Sequence, residues 1–316
     1  METNMVVEST AVSPMEGKLA KSSGAKLSAA ASDSTHEKTS AKVPSVDIQA
    51  VKARQKATWE SGDFGQVAKY IMPAAEEFMG RINLRPGFRV LDAACGTGNL
   101  ALIAAKKGCR VSGIDIASNL IAQARERARR EAVEIDYTEG DAEAMPYEDA
   151  SFDVVVSMYG VMFAPQPDRV VSELCRVTKP GGLIALANWT PEGFIGKLFK
   201  VFARHVAPPA GLPSPLLWGD ENVVRIRLDH VVESLRMTRR MARMRFPFDP
   251  AETVGFFRRY YGPTNRGFNS LNPDSQAMLF RDLVELQTRY NVSPLPDETD
   301  TPAEYLEIQA RRAKIR

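Results

Sequence analysis

The stretch Val90-Leu91-Asp92-Ala93-Ala94-Cys95-Gly96-Thr97-Gly98-Asn99 decides the fold. It reads as an apolar strand that runs into a turn of small residues and then into a helix. Gly96 and Gly98 lack the Cβ that would block a ligand and can take positive φ, so the backbone of this turn can approach a bound molecule closely. Asp92, at the carboxyl end of the strand, can accept hydrogen bonds from a cationic ligand group. Open α/β sheets bind their ligands just beyond such strand ends.

Working outward, residues 88–189 alternate short β-rich runs with longer helical patterns, the signature of a parallel sheet with crossover helices. The expected strands are Phe88–Leu91, Arg110–Ile114, Val133–Tyr137, Phe152–Ser157 and Leu183–Ala187. Between them Leu100/Ile103/Ala104, Leu120/Ile121/Ala124/Ala128 and Val170/Val171/Leu174 have helical spacing. Lys179-Pro180-Gly181-Gly182 makes the turn into the fifth strand. Asp115 follows the second strand, where its carboxylate can accept two hydrogen bonds from a ribose diol. After the third strand, Asp141 of Gly140-Asp141-Ala142-Glu143 can accept from an adenine amine, and the backbone amide of Ala142 can donate to a ring nitrogen.

Further out the signals weaken. Residues 1–45 are rich in Ser, Ala, Thr and Lys and read as a disordered tail, since they carry too little apolar surface to offset ordering entropy. Residues 46–84 read as a helical cap of two pieces, one carrying Trp59, separated by Ser61-Gly62-Asp63-Phe64. Residues 85–190 read as the cofactor-binding core. Residues 191–316 read as a substrate-covering region that also completes the sheet, with a strand near Met241–Phe248, helices around Ala251–Tyr261 and Asp274–Tyr290, and a last strand around Glu304–Ala310.

Composition narrows the function classes. The chain has 316 residues, 44% of them apolar, enough for one large domain or a core with an appended part. Its 41 Lys and Arg nearly balance 39 Asp and Glu, which argues against nucleic acid or an anionic membrane as partner. Arg225, Arg227, Arg236, Arg239, Arg240, Arg243 and Arg245 form the densest basic run, and without interleaved aromatic residues they read as a solvated face. Cys95, Cys109 and Cys175 have no metal-ligand spacing, so no metal is expected. No apolar run reaches the roughly 18 residues of a membrane span, and the expected location is cytoplasmic.

The chain resembles class I methyltransferases, especially the broad group that includes the ubiquinone/menaquinone-biosynthesis methyltransferases. The resemblance spans about residues 85–190 and rests on Asp92–Gly98, Gly113-Ile114-Asp115, Gly140-Asp141-Ala142-Glu143-Ala144-Met145-Pro146, Ser151-Phe152-Asp153-Val154-Val155 and Arg176-Val177-Thr178-Lys179-Pro180-Gly181-Gly182. It implies a Rossmann-like α/β sheet with helices on both faces, covered by helical substrate-binding segments. It also implies S-adenosyl-L-methionine as cofactor, with Asp115 and Ile116 at the ribose, Asp141 and Ala142 at the adenine, and Asp92, Ala94, Gly96 and Gly98 around the methionine end, Ser157 lying nearby. Ala94 departs from the pattern, standing where many relatives carry the first glycine of the loop.

On the acceptor side, the family places the acceptor beside Ser157-Met158-Tyr159-Gly160-Val161-Met162-Phe163, which lacks the Asn-Pro-Pro-Tyr type sequence used for planar amines. An oxygen or carbon atom of a small molecule is therefore the expected acceptor. Tyr159 can orient or deprotonate it, and His205 can take a phenol or enol proton near neutral pH. Trp59, Phe64, Trp189, Trp218, Tyr260 and Tyr261 are candidates for an aromatic lid, two or three of them lining the site.

Two other classes compete. A regulatory protein could keep the cofactor site without turnover, and Gly96-Thr97-Gly98-Asn99-Leu100-Ala101 with Asp115 downstream also fits an NAD-dependent dehydrogenase. Asp92 argues against NAD, because like charges about 4 Å apart cost roughly 4 kcal/mol at an effective dielectric near 20, and a dinucleotide would bring its pyrophosphate there. Titration is expected to show binding of S-adenosylmethionine or its demethylated product and no comparable affinity for NAD. Asp92→Asn should weaken the first and relax the discrimination, and tight NAD binding by the unmodified protein would overturn the reading.

Overall fold

The computed structural model describes residues 46–314; the expected tail, residues 1–45, lies outside them. The chain opens with α1 (Ile48–Trp59) and α2 (Phe64–Gly80), capped by the carboxylates of Asp47 and Asp63, which accept from the amides of Ala50 and Gly65. The core then alternates β1 (Arg89–Ala93), α3 (Asn99–Lys106), β2 (Arg110–Asp115), α4 (Ser118–Arg130), β3 (Ile135–Glu139), β4 (Phe152–Met158), α5 (Pro167–Val177) and β5 (Thr178–Trp189). Next come α6 (Phe194–His205), α7 (Glu221–Leu228), β6 (Val232–Phe246), α8 (Pro250–Tyr260), α9 (Gly262–Asn269), α10 (Pro273–Tyr290) and β7 (Thr299–Arg312).

One seven-stranded sheet has the order β3-β2-β1-β4-β5-β7-β6. The first five strands are parallel, while β7 runs antiparallel to both β5 and β6. From β1 the chain steps outward to β2 and β3, then returns past β1 to β4 and β5. Right-handed crossovers in opposite directions put α3 and α4 on one face and α5 on the other, and leave a switch point between β1 and β4. Val154, Val155 and Val156 of β4 and Ile184 to Ala187 of β5 are buried, as both faces of a covered central strand require.

Two elements differ from expectation. The Lys179–Gly182 turn lies inside β5 as a bulge: Thr178 pairs with Phe152 and Leu183 with Val154, and Gly181 takes φ 74°. The strand expected near Met241–Phe248 begins at Val232, because its outer half alternates charged and half-buried residues at a sheet edge. The basic run is spread over α7 and β6 and meets acids: Arg239 pairs with Glu192, Glu221 and Glu304, and Arg243 and Arg245 pair with Asp300. No described helix is long and apolar enough to cross a membrane.

The end of α2 is tied to the added strand by a buried charge. Arg81 donates from Nε to Glu307 at 2.7 Å and from Nη2 to the Tyr305 hydroxyl at 2.6 Å, and Glu307 is only 4% exposed. Arg240 is the other cation near Glu307, at 3.6 Å. Arg81→Met should therefore destabilise the protein by about 3 kcal/mol, since it leaves a buried carboxylate short of a partner. Denaturant unfolding checks this, and the double change with Glu307→Gln should recover much of the loss; equal stability of Arg81→Met and the parent would refute it.

Candidate active site

The turn after β1 is built from backbone that few residues tolerate. Ala94, Gly96 and Gly98 have φ of 55°, 53° and 82°. A Cβ on Gly98 would lie 2.2 Å from the Tyr137 hydroxyl, so this position needs glycine for space as well as for conformation. Ala94 occupies the left-handed region despite its Cβ, which explains why glycine would suit the position.

Carboxylates fasten the turn. Asp115, at the end of β2, accepts from the Gly96 amide through Oδ2 at 2.8 Å and from the Ala117 amide through Oδ1 at 2.9 Å. Asp92 Oδ2 accepts from the Ala101 amide at 3.0 Å, in the first turn of α3. Its Oδ1 has no partner among the described residues, yet keeps some accessible surface, and Asp92 lines the pocket. Asp92 is 2% exposed, and this burial pushes its carboxyl up to about 8, the Ala101 hydrogen bond opposing and the Asp115 charge adding to the rise. Burial also raises Asp115, against the pull of its amide donors. The like-charge penalty expected against a dinucleotide is correspondingly smaller below pH 8, because protonation of Asp92 relieves it.

A second strained turn follows β4. Tyr159 has φ 55°, and a Cβ on Gly160 would meet the Ala94 carbonyl at 2.6 Å, so the turns after β1 and β4 pack directly on each other. Ser157 Oγ accepts from the Val161 amide at 3.2 Å. The Tyr159 ring stacks on Trp189 with centroids 3.6 Å apart, and its hydroxyl is sealed without a partner, so burial drives its pKa well above the ordinary value.

The opposite wall comes from α1. Lys52 reaches Asp141 at 2.6 Å and Glu143 at 2.5 Å. Burial alone would lower the Lys52 ammonium, but hydrogen bonds to these two carboxylates outweigh it and raise its pKa. Lys56 bridges Glu60, Glu139 and the carbonyl of Ile116, and Gln55 donates to the Phe163 carbonyl at 2.8 Å. Trp59 packs edge-on against Phe64, Phe163 and Tyr261.

These walls border about 1890 Å³ of space not filled by protein atoms, open solvent at the mouth included. Asp92, Ala94, Gly96, Asp115, Ile116, Asp141 and Ala142 line it together, whereas Gly98 and Ser157 stand behind its wall. Tyr159 contributes its ring to the lining, but its sealed hydroxyl cannot reach an acceptor proton. His205 is not brought to the pocket: at the end of α6 it faces Asp282, with Nε2 to Oδ2 of 2.9 Å. Of the aromatic candidates Trp59, Phe64, Trp189 and Tyr261 line the space. Trp218 instead packs under Arg227, and Tyr260 against Phe256.

Sequence reasoning missed Lys52 and Gln55 on α1 and Gln287 and Thr301 in the C-terminal part, all of which line the pocket. Lys52 and Asp141 are far apart in the chain, so no local pattern links them. Asp141 consequently has its Oδ2 on Lys52 and its Oδ1 on the Glu143 amide. The pocket suits an adenosine-type ligand with a cationic end: glycine turns leave room for close approach, and one free buried carboxylate oxygen waits at the strand end.

Comparison with known proteins agrees. A methyltransferase domain family matches residues 91–186. The chain is 35% identical over 252 residues to the uncharacterized protein Rv1405c of Mycobacterium tuberculosis, covering 78% of this chain and 92% of that one. It is also 35% identical over 127 residues to the demethylmenaquinone methyltransferase of Thermus thermophilus, covering 39% of this chain and 58% of the relative. The YcgJ protein of Bacillus subtilis shares the fold, with a TM-score of 0.53 at 18% identity over 76% of this chain and 98% of that one. With the strand order, the glycine turn and the carboxylates at successive strand ends, these matches make the chain a member of the class I S-adenosylmethionine-dependent methyltransferases.

Proposed function

We propose that this enzyme methylates an oxygen or carbon atom of a small, largely apolar molecule. The observation that carries the reading is the division of charge in the pocket. Lys52, Asp92, Asp115 and Asp141 all belong to the cofactor side, and beyond Trp189 no lining residue is Asp, Glu, Lys, Arg or His. An anionic or cationic acceptor would lose its hydration there without gaining a counter-charge. The demethylmenaquinone methyltransferase relative, whose acceptor is named as a quinone, is in keeping with such a partner.

When bound, S-adenosylmethionine supplies a methyl group on a sulfonium, open to in-line displacement. In this reading Asp92 Oδ1 holds the ammonium of its amino-acid end, Asp115 the ribose, Asp141 and the Ala142 amide the adenine, and Ile116 packs beside them. The Ala94–Gly98 turn provides the close backbone surface. Trp59, Phe64, Phe163 and Tyr261 exclude water from the acceptor, and holding donor and acceptor in alignment is the main catalytic contribution. Among the described residues no Asp, Glu, Lys, Arg or His lines the acceptor side, so the chain supplies no base there, and the proton displaced by methylation passes to water at the pocket mouth as the product leaves.

Incubation of the protein with methyl-labelled cofactor and a fractionated metabolite extract should place label in a product that partitions into organic solvent. Label confined to anionic, water-soluble products or to macromolecules would overturn the acceptor class.

Asp92 yields a pH prediction. With a pKa raised from 3.8 to about 8, its carboxyl is neutral in both folded and unfolded states at acid pH and ionises first in the unfolded chain. The stability of the cofactor-free protein should therefore fall as pH rises from about 4 toward about 8. An ammonium bound at Oδ1 favours the ionised form, so binding of S-adenosylhomocysteine near pH 7 should release close to one proton. Calorimetry in buffers of different ionisation enthalpy reads that release. It should vanish in Asp92→Asn, and an equal release from both proteins would remove Asp92 from this role.

A further inference from the structure

The acceptor side of the pocket is mostly apolar, with the hydroxyl-bearing Tyr261 and Thr264 and one paired polar site among its lining residues. Phe194, Leu198, Phe202, Met244, Phe246 and Leu283 supply apolar surface there, and Gln287 of α10 and Thr301 of β7 interrupt it. Gln287 is 5% exposed and Thr301 1%. Gln287 Nε2 donates to Thr301 Oγ1. That bond leaves three valences over: Gln287 Oε1 and the second Nε2 hydrogen have no partner among the described residues, and the Thr301 hydroxyl proton has no acceptor among them. Unlike the Asn188 amide, which is sealed in the core, Gln287 Oε1 keeps some accessible surface, and both residues line the cavity. A buried acceptor and a buried donor without partners cost stability, about 1–3 kcal/mol for each unsatisfied group, unless a ligand meets them.

The fold separates this pair from the cofactor carboxylates. In the sheet, β1, β4, β5 and β7 are successive neighbours, and the register aligns Asp92 through Val156 and Ala185 with Gln309, so Thr301, eight residues earlier in β7, lies three strand spacings across the sheet and roughly 27 Å along the strand direction from Asp92. Because β7 is antiparallel, its first residues emerge at the same edge of the sheet as the carboxyl ends of β1 and β4. The pair therefore faces the same pocket from its far end.

We infer that Gln287 and Thr301 form the specificity-determining polar anchor of the acceptor chamber, and that the methyl acceptor is an apolar molecule that presents a hydroxyl group to them. A hydroxyl meets both needs at once: it donates to Gln287 Oε1 and accepts from the Thr301 hydroxyl. A carbonyl, having no hydrogen to donate, would leave Gln287 Oε1 without a partner. A carboxylate would face Gln287 Oε1 with like partial charge and find no cation on this side. The inference rests on the reading of this chamber as the acceptor site, and it makes the pair a positioning device that selects the molecule and fixes its depth.

The test uses three probes of one shape, 2-naphthol, naphthalene and 2-naphthoate, titrated into the full chain saturated with S-adenosylhomocysteine. The naphthol should bind about tenfold more tightly than naphthalene, as two neutral hydrogen bonds in a buried site allow, and the naphthoate should not compete. Gln287→Met and Thr301→Val, close in volume to the originals, should each bring the naphthol-to-naphthalene ratio near one, while Thr301→Ser should retain the preference. A merely structural role would alter both affinities together and leave the ratio alone. Equal binding of naphthol and naphthalene by the parent, binding of neither, or a preference that survives both variants would overturn the inference. If the preference holds while no extract component is methylated, the acceptor reading fails and the anchor stands; if methylation proceeds without the preference, the reverse is true.

Discussion

Two buried carboxylates at the ends of neighbouring parallel strands hold the turn on which the rest of the site depends. Asp115 accepts the Gly96 amide within the Ala94–Gly98 turn and Asp92 the Ala101 amide just beyond it, and this keeps the three left-handed residues Ala94, Gly96 and Gly98 in place. The arrangement at Ala94 costs about 1 kcal/mol for a residue with a Cβ. It is stabilised by what surrounds it, since Gly160 of the turn after β4 presses against the Ala94 carbonyl. Strain on both sides of the β1–β4 switch point is thus shared by two turns that cannot relax separately.

The same carboxylates set the electrostatics. Backbone donors lower the cost of ionising them, but burial is the larger effect, and it leaves Asp92 poised to ionise when a cation arrives. The neighbouring Asp141 and Glu143 are instead held by Lys52, so the ends of the strands carry one poised carboxyl and one paired group. The lysine comes from α1, which also lines the pocket with Gln55 and Trp59. Charge is concentrated on the side where the cofactor's polar parts would lie, and the acceptor side carries only uncharged polar groups among its apolar residues.

Placing β7 between β5 and β6 is what builds that second side. The antiparallel strand starts beyond the edge of the sheet where the parallel strands end, and it places Thr301 there, followed by the buried Tyr305 and Glu307. Arg81 ties this strand to α2, so the N-terminal cap and the C-terminal strands close on the same pocket.

The sequence by itself determined the parallel core, the turn after β1, the carboxylates at successive strand ends and the helices flanking them. These follow from local signals: alternation, helical spacing, and small residues where backbone must turn or be approached. The same local reading named Asp92, Asp115 and Asp141 because each ends a strand run. It also missed the true start of β6, where charged residues at an edge strand resemble a solvated run. Only the tertiary structure decided that Lys52 meets Asp141, that His205 turns to Asp282 while the Tyr159 hydroxyl is sealed, and that Gln287 and Thr301 face a cavity. The physical reason is that an apolar or amide side chain carries the same pattern in sequence whether it packs against a neighbour or borders an empty space, and the difference arises when distant elements close around that space.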